Sequence, residues 1–433
     1  MISQAIIKTV EKHVFPLESM ADLDPLMDRI GNAQIVCLGE ASHGTHEYYI
    51  WRAKISQRLI LEKQFNLIAV EGDWPDCYRI NQYIKDVTGS AQDTHQLLSA
   101  FNRWPTWMWG NWEIAALVNW LKGYNQIHDQ KVGFYGLDIY SLYESLEAIL
   151  RYVDKRDPQA SRFVRRAAEC FEHFGQFEGQ SYARSQHLVP EACKEQVLHL
   201  LKLIQQQKAS YNTNHEDVFS TEQNAIVAAH AEEYYRAMLA GGALSWNLRD
   251  THMLQTLSRL MQFQAETSPP KVIVWAHNTH VGDASATSMA EEGMTNLGQL
   301  ARQAFGPEHV VLVGFGSNAG SVIAGREWED VMRVMPVPPG QQGSWEHILS
   351  MIPPKDKLLI LDPPELREVL SRPIPHRAIG VVYRPEHEQH NYVPSRIAQR
   401  YDAFLYIHNA AALHPMHIAP NGYQVPETFP WGV

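Results

Sequence analysis

A chain of 433 residues with 45% hydrophobic and 20% charged content is long enough to bury a large core and to divide into two structural parts. Its formal net charge of -11, spread without long acidic runs, excludes the clustered basic face that nucleic acid requires and disfavours anionic membranes as partners. No apolar stretch approaches the ~20 residues that span a bilayer, and 1–14 lacks the apolar core of a signal peptide, so the expected compartment is the cytoplasm.

Short β-branched runs at 35–38, 67–70, 132–135, 272–275, 310–313, 358–361, 379–383 and 404–407 read mostly as buried parallel strands. The first stops abruptly in Gly39-Glu40-Ala41-Ser42-His43-Gly44-Thr45-His46-Glu47, and a helical pattern over 47–62 leads to the second, the βαβ rhythm of an α/β sheet. The second run enters Glu71-Gly72-Asp73-Trp74. A tryptophan-rich stretch follows, Arg103-Trp104-Pro105-Thr106-Trp107-Met108-Trp109, whose rings either wall a pocket for a bulky apolar ligand or pack as core. The third run ends in Asp138. From 140 to 264 the texture turns helical, with clear periodicity over 221–239 and 245–263 and a less regular connection over 172–190. The next strand ends in His277-Asn278-Thr279-His280, and the Pro-rich tail from 414 to 433 reads as a surface-hugging extension. These elements predict an α/β fold with a mostly parallel central sheet flanked by helices in three layers, its core at 1–139 and 265–433 and a helical insertion at 140–264. Cys37, Cys77, Cys170 and Cys193 show no paired spacing and read as free thiols.

Four strand ends carry the polar chemistry: Glu40/His43, Glu71, Asp138 and His277/His280. Ligands bind beyond the carboxyl ends of parallel strands, so these ends are expected to converge on one crevice. Any single ending also fits a helix cap; the set favours a site. The G-x-S-x-G elbow of a serine esterase is missing. Ser268 and Lys271 match S-x-x-K, but two intervening prolines forbid the helix that would join them. His277/His280, His387/His390 and His414/His417 show H-x-x-H spacing at strand ends or in loops, without H-E-x-x-H, so no metal ligand is assigned. The glycines from Gly314 to Gly320 miss the dinucleotide spacing by one residue, and no cofactor is expected. What remains is activation of water by histidine and carboxylate. His43 stands just before a helix start, which keeps its imidazole neutral and basic. Glu40 or Glu71 would orient the ring or the water, and Arg52, in the following helix, would pair with a carboxylate or steady an oxyanion. His230, on an apolar helical face, reads as a core histidine, and Arg249-Asp250 as a structural ion pair or a support beneath His277.

The blocks Gly39 to Glu47, Glu71-Gly72-Asp73-Trp74, Tyr135-Gly136-Leu137-Asp138, Trp246-Asn247-Leu248-Arg249-Asp250, Trp275-Ala276-His277-Asn278 with His280, and Tyr383-Arg384-Pro385-Glu386 resemble, in order, those of the erythromycin esterase-like proteins. The resemblance covers nearly the whole chain. It implies a three-layer α/β core with a helical insertion and metal-independent hydrolysis of an ester or macrocyclic lactone by histidine-activated water. By position it implies His43 as base, with Glu40, Glu71, His277 and Arg52 completing the centre. His46, Trp74, Asp138, Trp107 and His280 are the candidate substrate contacts. Where related sequences carry Asp-Glu-Thr, this chain has His408-Asn409-Ala410, and the role of the last strand end stays open. The partner implied is a small-molecule ester or lactone. The broader fold relationship includes haem-binding proteins, so the alternative is a binding protein for haem, metal or a polyketide-like ligand. Oligomeric state is left open.

Overall fold

The structure, a computed structural model, describes residues 4–87, 89–91, 93–172, 192–211, 214–238 and 242–417. Its architecture is mixed α/β, with a central sheet, flanking helices and a large helical region. The chain forms two compact units, one made of Met1–Ile68, Gln82–Gly133 and Pro270–Val433, the other of Ala69–Asn81 and Phe134–Pro269. No described helix is long and apolar enough to cross a membrane.

The strands are β1 (Val14–Pro16), β2 (Ile35–Leu38), β3 (Leu67–Asp73), β4 (Gly133–Asp138), β5 (Val272–Trp275), β6 (Val310–Ala324), β7 (Arg333–Val337), β8 (Lys357–Ile360), β9 (Ile374–Arg377), β10 (Tyr392–Ser395) and β11 (Ala403–Ala410). In the first unit the sheet order is β1-β8-β11-β6-β2-β5, with β7 also on β6. The centre is parallel: β2 pairs with both β5 and β6, and β11 with β6. Every residue of β2 and β5 is buried, as continuous apolar runs in a parallel sheet require. The margins are antiparallel, β8 on β11, β1 on β8 and β7 on β6, so the sheet is less uniformly parallel than the apolar runs suggest. For β7 the cause is connectivity: β6 runs on for 15 residues and the chain returns directly as β7, and such a hairpin can only pair antiparallel. The run at 379–383 makes only isolated bridges, Ile379 to Ser42 and Val382 to Gly325. Helices α1 (His46–Lys63) and α2 (Trp112–Ile127) also belong to this unit.

The chain enters the second unit within β3 and again within β4, which are neighbours there. Its helices include α3 (Leu142–Val153), α4 (Pro158–Glu172), α5 (Ala192–Gln207), α6 (His215–Met238) and α7 (Ala243–Ala265). Leu146, Ile149, Val164, Phe171, Val197, Leu200 and Ala228 form one buried cluster among them. Cys170 and Cys193 are joined in a disulfide, which corrects their reading as free thiols; Cys37 and Cys77 are free and buried. A separation of 23 residues does not announce that α4 and α5 bring two cysteines face to face. Most of the predicted connection at 172–190, and the tail beyond residue 417, lie outside the described residues.

Candidate active site

Two glycines shape the loop that follows β2. A Cβ on Gly39 would sit 2.1 Å from Asn278 Oδ1, and one on Gly44 would sit 1.9 Å from the Ile323 carbonyl. The missing side chains therefore let this loop press against the start of helix α8 (Asn278–Val281) and against β6. The press is held by hydrogen bonds. Gly39 N–H donates to Val313 O (2.8 Å) and Asn278 N–H to Glu40 O (2.8 Å). The Asn278 amide both donates to Phe315 O (2.6 Å) and accepts from Phe315 N–H (3.2 Å). The ends of β2 and β5 are thus laced to the middle of β6 at one point, and Glu40, His43 and His277 leave from it.

Glu40 bridges the other two groups of its centre. Its Oε1 lies 2.9 Å from His43 Nδ1 and its Oε2 accepts from Arg52 Nη2 at 2.6 Å. All three residues are buried, Arg52 at 1% exposure. The Arg52 guanidinium lies over the rings of Tyr49 and Trp275, at 4.3 and 4.5 Å, where aromatic faces replace lost hydration. An ionised carboxylate only accepts, so Nδ1 of His43 carries the proton and Nε2 is its basic nitrogen. The His277 ring stands 4.9 Å from that of His43. As the cap of α8 its Nδ1 accepts the Thr279 backbone N–H (3.3 Å) and meets the Thr279 hydroxyl (2.8 Å); with both bonds received at Nδ1, the ring proton sits on Nε2. One imidazole is arranged to accept a proton and its neighbour to donate one.

The remaining predicted residues divide by unit. In the second unit Arg249 donates to Glu71 (2.6 Å) and to both oxygens of Asp138 (2.9 and 2.7 Å), which joins two strand-end carboxylates through one cation. Burial alone would raise the Asp138 carboxyl; the Arg249 charge outweighs it and holds the group below the ordinary range. Trp74 is fully buried, stacked on Tyr135 and Tyr78, with its indole N–H on Ser220. In the first unit Trp107 is fully buried against Trp104, and its Nε1 has no hydrogen-bond partner among the described residues. His280 is buried in α8. His230 shares a hydrogen bond with His252 (2.8 Å) inside the helical unit, while His387 and His390 are exposed.

Sequence reasoning missed one cluster. His46 Nδ1 and His414 Nδ1 both contact Glu113 Oε1, at 2.6 and 2.7 Å. Burial pushes the Glu113 carboxyl up, but its bonds to the two histidines win and hold it below its usual value; in return the Glu113 hydrogen bond raises His414. Glu113 in the first turn of α2 reads as an ordinary favourable charge at a helix start. Its partners lie 67 and 301 residues away, and no local pattern reports them.

The family profile described as erythromycin esterase matches residues 60–410. Erythromycin esterase type II of Escherichia coli is 22% identical over 337 residues, 72% of this chain and 77% of its own. Among solved structures, a Bacillus cereus protein superposes with a TM-score of 0.77 at 20% identity, covering 96% of this chain and 99% of that one. A mutant of the erythromycin esterase EreC in its open conformation gives 0.68 at 16% identity, covering 92% of this chain and 97% of its own. At these identities the structural likenesses are statements about fold.

Proposed function

Because the chain belongs to the erythromycin esterase family, we propose that it is a hydrolase that opens a carboxylic ester or a macrocyclic lactone with a water activated by His43. The observation that carries this reading is the buried line Arg52–Glu40–His43 with His277 beside it. The His43 Nε2 takes a proton from water as the oxygen adds to the carbonyl carbon. Negative charge then grows on the carbonyl oxygen, and the His277 Nε2–H is the donor suited to meet it. Collapse of the tetrahedral intermediate breaks the bond to the alkoxy oxygen, which leaves with the proton held by His43. Glu40 stabilises the imidazolium formed in between, and Arg52 holds Glu40 in place from its other oxygen, the logic of a catalytic triad with water in place of the serine. Side chains fill every role in this cycle, so turnover is expected to survive chelator treatment.

The test is mass spectrometry of macrolides, lactones and simple esters incubated with chelator-treated protein and with its His43→Ala variant. A gain of one water mass with the parent protein, lost by at least ~10²-fold in the variant, is the expected result. Full turnover by a folded His43→Ala variant overturns the assignment.

A further inference from the structure

We propose that His46, Glu113 and His414 form a binding site for one divalent transition-metal ion of the zinc class, separate from the His43 centre. The three donor atoms, two imidazole nitrogens and a carboxylate oxygen, lie within 4.8 Å of one another. Two nitrogens and one oxygen suit zinc and its neighbours and are a poor set for calcium or magnesium, which take oxygen. Ligand bonds of ~2.0–2.2 Å require donor separations of roughly 3.4 Å in a tetrahedron. Toward that geometry the two imidazole–Glu113 contacts, now 2.6 and 2.7 Å, would lengthen and any spacing near 4.8 Å would close, an adjustment that falls on His414, whose side chain is 38% exposed, more than on Glu113 at 1%.

The scaffold exists without the ion. His46 N–H donates to Ala411 O (2.8 Å), Leu413 N–H to Gly44 O (3.0 Å) and Trp112 N–H to His414 O (3.0 Å), with bridges from Thr45 to Ala412 and from Asn111 to Pro415. Three segments distant in sequence are already zipped together at the ligand positions, so binding needs little further ordering. The α2 start contributes about half a positive charge, which opposes a cation; the full charge of Glu113 exceeds it. Metal would replace protons that the two imidazoles now share with Glu113, leaving a fourth position toward solvent on the His414 side.

The experiment uses the full chain, stripped with chelator and dialysed against zinc chloride, with bound metal counted by plasma mass spectrometry and thermal unfolding followed with and without zinc. One zinc per chain and a raised unfolding midpoint are expected. His414→Ala, at a partly exposed position that should not disturb folding, and Glu113→Gln should both lose the stoichiometric ion and the midpoint shift, while excess magnesium should not compete. No zinc on the parent protein, or one zinc retained by folded His414→Ala, overturns the proposal. No substrate enters this measurement, so its result stands apart from that of the hydrolysis assay.

Discussion

Arg52 and Glu40 are both buried and hold each other's charge, so removing either one has a scaffold effect and a chemical effect that different measurements separate. Arg52→Met leaves the Glu40 carboxylate without its cation and should destabilise the fold by about 3–5 kcal/mol, read from urea unfolding. A loss below 1 kcal/mol would mean that the buried pair adds little to the fold. Glu40→Gln keeps the shape, but its amide can donate to His43 Nδ1 and move the ring proton to Nε2, removing the basic nitrogen. Turnover should fall by ~10²–10⁴-fold with KM little changed, measured on whichever ester the parent protein opens. Both residues were legible in the sequence because His43 and Arg52 lie 3 and 12 residues from Glu40 on one strand–loop–helix passage. Glu113 was illegible because its partners come from elsewhere in the chain.

At the scale of elements, loops and helices can be tested by substitutions of opposite sign. Gly44→Ala drives a methyl group into the Ile323 carbonyl, a strand backbone that cannot swing aside. It should abolish soluble protein or cost several kcal/mol. Gly123, inside α2, meets nothing within 4 Å, and Gly123→Ala should raise stability by roughly 0.5–1 kcal/mol through helix propensity alone. Chemical denaturation of the pair decides it; a destabilised Gly123→Ala would show that α2 is crowded where the structure shows space. Helices α6 and α7 supply a pH test. Burial, with the neighbouring His230 adding to it, holds His252 at about 3 against an ordinary 6.5. Between those values the unfolded chain binds a proton that the folded chain refuses, so stability is fully present above 6.5 and is lost as pH falls toward 3. His252→Gln should flatten the slope of unfolding free energy between about pH 6 and 4 by close to one proton. An unchanged slope would remove His252 from the acid response.

For the molecule as a whole, hydrophobic runs predicted the central strands closely: the buried portions of β2, β5 and the first part of β6 fall where continuous β-branched stretches stand. Strand direction was the weaker inference. Apolar content reports burial on both faces but not whether the chain returns by crossover or hairpin, and β8 is largely buried, like the central parallel strands, while running antiparallel to both β11 and β1. The run at 379–383 has strand-like composition, yet it is spent bracing the His43 loop through Ile379, whose N–H donates to Ala41 O. The candidate site was legible where a motif sits at one strand end, and hidden where separate strand ends and the 411–414 segment are drawn together only by the tertiary fold.

The stitches from 411–414 onto the loop after β2 also set an order in time. Glu47 accepts the Ala411 N–H across 364 residues of chain, and at ~5–20 residues per second the ribosome needs tens of seconds to deliver that partner. Until then the loop bearing His43 has its glycine-shaped path but not its clamp. A nascent chain stalled at 409 should therefore bind its β2 and β5 neighbours yet leave the His43 loop open to protease, whereas one stalled well past 417 should protect it. Equal protection in both would show that the strand ends alone hold the loop.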